Sequence, residues 1–290
     1  MVEDDIDPHD YETPMSGEAL TIIRAKPTAS NPMLDEDHVS RARAILGLVL
    51  YIVRSARPDA SFAAVALSQQ VGTNLIRAAW DALLRLASYL VRTPKKRLIY
   101  RPHWENGQTD FTCNCDSSCI NMPTNITSFD SDALKSETEG QGPMGASMGG
   151  FACFFPDSGP FEWNVFSPRK LATSSAGSEL TMASWAGKSI IAWRMMQREL
   201  QLAPIAPTVL EMDASAVLDG VKMERVTRLQ RHQAARLAAL RMWVVDSILR
   251  FRKTPTADMR AGMLSKPVQP VARFIRLAHL LLTGRETEEP

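Results

Sequence analysis

The sequence predicts an α/β protein, a mixed sheet flanked by helices and preceded by a small helical segment. Three observations carry this. Near residue 110 the apolar pattern changes from helical steps of three and four to the alternation of strands. Phe151 to Phe155 and Phe161 to Phe166 flank Pro156-Asp-Ser-Gly-Pro160, two strands around a strong turn signal. From residue 110 onward the patterns run β, β-β, α, β, α, β, α, an order that builds a mixed sheet with helices on its faces.

The elements follow in chain order. Residues 1–36 are polar and acidic, broken by Pro8, Pro14, Pro27 and Pro32, and read as a mostly disordered leader. Residues 37–108 form the helical segment. Its first helix, 40–55, is apolar enough to be buried, and a second runs through Gln70 with Asp59 or Ser61 as its cap. Asn74 caps a third, whose Leu75, Ala79, Leu83, Leu86 and Leu90 recur on one face. That helix stops at Thr93-Pro94, because the residue before proline disfavours helical backbone. A short strand, Arg97 to Arg101, follows.

Residues 109–268 carry the sheet. In the strand from Phe111 to Asp116, alternation puts Thr112, Asn114 and Asp116 on one face. Residues 121–149, rich in Ser, Thr, Gly and acids, read as a mobile insertion. A long helix spans about 175–200, and a strand spans 208–213 after Pro204 and Pro207. A basic helix near 226–247, a strand near 248–253 and helices near 257–265 and 269–283 complete the pattern. Residues 269–290 are the C-terminal helix and tail.

The 290 residues are 45% hydrophobic and 22% charged, with a net charge of +1, ordinary for a globular protein. Charge is unevenly distributed. Residues 1–40 sum to −8, whereas residues 221–253 sum to +7 and include Arg225, Arg228, Arg231 and Arg236. Such a segment is either a phosphate-facing surface or a solvated helix face. No run of eighteen apolar residues is present to span a membrane, and the acidic N-terminus is unlike a secretory or mitochondrial leader. The expected location is cytoplasmic or nuclear, where Cys113, Cys115, Cys119 and Cys153 stay reduced. The C-x-C-x3-C spacing invites a zinc site but fits no pair of C-x2-C knuckles, and buried thiols are the favoured reading.

Three carboxylates stand where elements begin or end. Asp116 closes the first strand, Glu179 opens the long helix and Asp213 closes the later strand. Glu179 heads the stripe Ala183, Ala186, Ile190 and Trp193, so it should face the sheet. If the two strands are neighbours, the three acids converge at one sheet end. Clustered carboxylates repel one another unless cations neutralise them. Magnesium fits, since it takes few carboxylates and keeps other oxygen ligands. Two such ions, magnesium or manganese, about 4 Å apart suit phosphodiester hydrolysis. The plain alternative is that Glu179 merely favours a helix dipole and the strand-end acids are solvated.

Local sequence resembles copia-type LTR retrotransposon Pol polyproteins, from the end of the reverse transcriptase into the ribonuclease H-like domain. Leu48-Val-Leu-Tyr51 with Arg57-Pro-Asp-Ala-Ser-Phe62 resembles L-L-Y…T-R-P-D-I-S-F. The run Ala79-Trp80-Asp-Ala-Leu-Leu-Arg85, with Tyr89-Leu90 and Thr93-Pro94, resembles H-W-x-A-L-x-R…Y-L-x-x-T-P. Cys115-Asp116 stands at the family's S-D-A-D-W, Gly150 to Phe155 at G-Y-x-F-F, and Trp163, Ser167 and Lys170 at W-x-S-x-K. Residues 172–180 (ATSSAGSEL) resemble A-L-S-S-T-E-A-E-Y, and Met212-Asp213-Ala-Ser-Ala216 resembles C-D-N-Q-S-A. Thr254-Pro-Thr256, Asp258 and Met263-Leu-Ser-Lys-Pro267 resemble P-T-x-D…A-D-I-L-T-K-P.

The resemblance covers about residues 43–267 in order. It implies a ribonuclease H-like fold with Asp116, Glu179 and Asp213 as catalytic and metal-binding residues. The acid order Asp, Glu, Asp matches that arrangement and not the Asp, Asp, Glu of integrase relatives. The implied activity is magnesium-dependent hydrolysis of RNA in RNA–DNA hybrids. The implied partners are such hybrids, or other nucleic acid, and other Pol polyprotein parts. The basic residues at 225, 228, 231 and 236 would contact phosphates. Departures are clear too. No polymerase Y-x-D-D motif is present, and the family's fourth aspartate aligns with Gly262, leaving Asp258 as a possible fourth acid one helical turn earlier. A catalytically decayed or co-opted nucleic-acid-binding module of the same fold is therefore the second reading. A zinc module built on the cysteines is the third. His232 and residues Trp80, Trp163 and Trp193 read as structural.

Overall fold

The computed structural model describes residues 11–18, 27–71, 75–101, 109–118, 147–167, 175–202, 206–222 and 233–286. Helix α1 (Glu36–Ser55) begins four residues earlier than the apolar pattern indicates, because the Asp35 carboxylate accepts the His38 N–H at 3.0 Å and Glu36 and Asp37 favour the positive helix end. A 3-10 turn (Pro58–Ala60) leads into α2 (Ser61–Ser68). Helix α3 (Arg77–Arg92) presents Leu83, Leu86 and Leu90 inward.

Asp59 caps nothing. It is buried and receives two hydrogen bonds from Arg57, each 2.9 Å, and one from the Tyr89 hydroxyl at 2.6 Å. Arg57 also donates to the carbonyl and hydroxyl oxygens of Thr93. The R-P-D, Tyr89 and Thr93 pieces are thus one buried polar clamp between the α1–α2 connection and the end of α3. Every charge in it has a partner, as burial requires.

Asn74 lies outside the described residues. The N–H of Ala78, in the first turn of α3, is instead met at 2.9 Å by Asn31 Oδ1, while Arg77 N–H donates to Pro32 O. The leader expected to be mostly disordered therefore holds packed stretches. Thr13 and Met15 are buried, and Arg85 donates to Thr13. Residues 97–101 form no strand. Ile99 exchanges single backbone bonds with Leu282 and Gly159, which lie on two different elements, so no ladder can grow.

The sheet has five strands: β1 (Thr112–Ser118), β2 (Met148–Phe154), β3 (Pro160–Phe166), β4 (Thr208–Met212) and β5 (Leu249–Lys253). Their spatial order is β3-β2-β1-β4-β5. The first three are antiparallel neighbours, while β1–β4 and β4–β5 are parallel. The mixed sheet flanked by helices expected from the sequence is present. One face packs on α4 (Ser175–Glu199), α5 (Ser215–Lys222) and α6 (Ala234–Val245) through Cys113, Cys115, Phe151, Ala183, Ala186 and Ile190. The other face, with Ala152 and Phe154, shares a core with α1–α3, a 3-10 turn (Arg260–Leu264) and α7 (Val271–Thr283). Helical segment and sheet thus bury one another.

Several elements differ from expectation. Helix α5 has only eight residues, too short for its periodicity to stand out. The basic helix is described from Ala234, so Arg225, Arg228, Arg231 and His232 lie outside the described residues. Cys119, Lys170 and residues 121–146 of the insertion also lie outside them, while Ser147 to Gly149 lead into and begin β2. The helix expected at 257–265 is the single turn Arg260–Leu264.

Candidate metal centre

The chain runs outward from β1 in both directions, to β2 and β3 on one side and to β4 and β5 on the other. The edge between the carboxyl ends of β1 and β4 is therefore where the strand order reverses, the position at which open α/β sheets place their sites. Parallel pairing of β1 with β4 ends at Asn114↔Glu211, although β1 continues to Ser118 against β2. Asp116 thus does not close its strand, but it lies just past the parallel ladder. Asp213 follows β4 at the same edge.

Opposite Asp116 and Ser117 in β2 are Gly150 and Gly149. A Cβ at Gly149 would fall 2.4 Å from Met182 of α4, and one at Gly150 would fall 2.4 Å from Leu264. Their missing side chains let α4 and the 3-10 turn close on the two faces of the sheet at this level. Glu179, in α4, is drawn in by that approach, and its Oε1 accepts the Ser117 N–H at 3.3 Å.

Ligand atoms of Asp116, Glu179 and Asp213 lie within 4.8 Å of one another. Asp116 is 1% exposed and Glu179 is 6% exposed, and Asp213 is half-buried at the mouth. Asp116 Oδ2 accepts from Ser265 Oγ and pairs with Lys266 Nζ at 3.1 Å. Asp213 Oδ2 accepts from the Thr256 hydroxyl at 2.8 Å. Asp116 Oδ1 and Glu179 Oε2 are buried and have no hydrogen-bond partner. Burial first, then repulsion from Asp116 and Asp213, pushes the Glu179 carboxyl up to about 8. Burial also raises Asp116, against the opposing pull of Lys266 and Ser265.

This donor set fits a hard divalent cation. It consists of carboxylate oxygens, two of them buried without a proton donor, and magnesium or manganese binds such oxygens. Among the described residues, Cys113, Cys115 and Cys153 are free, buried thiols on the α4 side of the sheet and form no metal cluster. Asp258 does not join the acids. It is exposed and paired with Arg276 on α7, because the turn that follows carries Gly262, not Asp258, toward Asp116. Of the four basic residues singled out, only Arg236 is described, exposed on α6.

A second polar group supports the first. Arg260, half-buried over the Phe154 ring at 3.6 Å, donates to Asn114 Oδ1 at 3.0 Å. Asn114 donates to Glu211, which is also paired with Arg252. Burial lowers Arg260 to about 10, which leaves it charged at neutral pH. This network anchors the turn that delivers Ser265 and Lys266. Sequence reasoning gave these residues no role, though Asn114 shares the Asp116 face and Lys266 lies within the resembling run Met263 to Pro267.

No protein-family model matches the chain, and no curated protein matches it. Among solved structures, it is similar to LC11-RNase H1 in complex with RNA/DNA hybrid, at 11% identity over 54% of this chain and 94% of that one, with a TM-score of 0.37. So slight a likeness has no bearing on chemistry, which rests on the geometry of the site.

Proposed function

We propose that the chain is a copia-type, retrotransposon-derived ribonuclease H-like endonuclease that hydrolyses RNA in RNA–DNA hybrids with magnesium or manganese. One observation carries the reading: ligand atoms of Asp116, Glu179 and Asp213 lie within 4.8 Å of one another where the β1–β4 ladder ends, and Asp116 and Glu179 each keep a buried oxygen without a proton donor. Asp116, Glu179 and Asp213 would hold the metal. Bound there, a divalent ion supplies a polarised water and charge for the leaving oxygen.

The chain's own residues prepare that site. Ser265 and Lys266 fix the Asp116 carboxylate, and Ser117 N–H fixes one oxygen of Glu179. Arg225, Arg228, Arg231 and Arg236 would neutralise backbone phosphates, and preference for a hybrid would come from 2′-hydroxyl contacts and duplex shape. Other parts of a Pol polyprotein are the proposed protein partners, in cytoplasm or nucleus. The test is cleavage of a labelled RNA–DNA hybrid with and without magnesium. Asp116→Asn should cut the rate by more than the roughly 10–100-fold lost with an outer-shell partner. Unchanged cleavage in that variant would remove the assignment.

The second reading is a non-catalytic relic of the same fold, favoured by Gly262 and by the diversion of Asp258 to Arg276. Calorimetric titration with magnesium separates the two, since a relic without a metal site gives no binding heat.

A further inference from the structure

In each of the two buried acids one oxygen has an internal partner and the other, equally buried, has none. Asp116 commits Oδ2 to Ser265 and Lys266 and leaves Oδ1 free. Glu179 commits Oε1 to Ser117 N–H and leaves Oε2 free. Each therefore has a single oxygen to give. Two ions about 4 Å apart commonly share a carboxylate, one oxygen to each. Here the second oxygen of Asp116 is already held by an ammonium.

Lys266 reaches Asp116 across Gly262. A Cβ there would stand 3.7 Å from Asp116 Oδ2 and 3.9 Å from Lys266 Cε, so the lysine tip lies beside the space a side chain at 262 would enter. Lys266 N–H donates to Gly262 O at 3.2 Å, which sets the backbone from which the side chain, 37% exposed, reaches Asp116 Oδ2 at 3.1 Å. Charge points the same way. Three carboxylates are balanced by one divalent cation and one ammonium, whereas a second divalent ion would leave a surplus of positive charge beside two buried acids.

We propose that this centre binds one divalent cation, and that the Lys266 ammonium occupies the role a second ion would take, beside Asp116. The inference rests on the metal-binding reading above and sharpens it. Lys266 becomes a fixed positive group at the site, able to meet a phosphate oxygen without itself leaving.

Manganese titration of the full chain, followed by calorimetry and by the paramagnetic signal of free ion, counts the sites. The expected count is one for the native chain and one for Lys266→Arg, which keeps the charge. Lys266→Met should admit a second ion or tighten the first at least tenfold. Two ions on the native chain would overturn the inference while leaving the nuclease reading intact. No ion at all would remove the nuclease reading itself. An unchanged count and affinity in Lys266→Met would deny the lysine its role. The native count stands even if a variant fails to fold.

Discussion

Gly262 faces Asp116 closely enough that a Cβ on the glycine would lie 3.7 Å from Asp116 Oδ2, at ordinary contact distance. Only Lys266 Cε, at 3.9 Å, is also near, and the glycine needs no left-handed backbone. Gly262→Asp should therefore fold. Its added carboxylate would repel Asp116 and lower the metal-free Tm. Saturating manganese would then raise Tm further than in the native chain, because binding to the folded state alone stabilises it. Thermal melts with and without manganese check this; an equal metal-induced rise in both proteins would count against position 262 facing the centre.

Glu179 makes stability depend on pH. Its folded-state carboxyl is raised from 4.5 to about 8, so between those values the folded chain holds a proton that the unfolded chain has lost. Stability contributed by this group is highest below the unfolded value, falls as pH rises through the window, and its cost is complete above about 8. Glu179→Gln should remove the cost and raise Tm most at alkaline pH, by roughly 2–4 °C per kcal/mol relieved. Metal-free melts from pH 5 to 9, as a rough span of that window, provide the check. Parallel Tm curves for variant and native chain would contradict it.

The Arg57–Asp59 pair is buried and fully partnered, so its energetic weight lies in the damage done when one side is removed. Asp59→Ala would leave the guanidinium without its carboxylate and the Tyr89 hydroxyl without its acceptor, at a cost of roughly 3–5 kcal/mol. Urea denaturation measures it. A loss below about 1 kcal/mol, the range of exposed pairs, would show that water reaches the clamp.

Asn31 closes the first turn of α3 from forty-seven residues away in the chain. Asn31→Ala should cost about 0.5–2 kcal/mol, as loss of a helix cap does. Hydrogen exchange at the Ala78 amide should accelerate in step, and unaltered exchange there would mean the cap is not formed in solution.

Sequence by itself determined the elements whose cause is local. Alternation in Thr112 to Asp116 set that strand, the turn between Phe155 and Phe161 set the hairpin, and the stripe Ala183, Ala186, Ile190 set the buried face of α4. The three acids were legible from their places near element ends and from the local sequence around each, but their convergence depended on β1 and β4 being neighbours. Partner choice across the fold was not legible. Asp59 binding Arg57 and Tyr89 instead of capping a helix, Asn31 capping α3, Asp258 turning to Arg276, and Lys266 reaching Asp116 each join residues that no local period relates. Side-chain hydrogen bonds and ion pairs fall off within a few ångströms. Only the closed tertiary structure brings such partners into range, and it alone decided which carboxylate oxygens were left free.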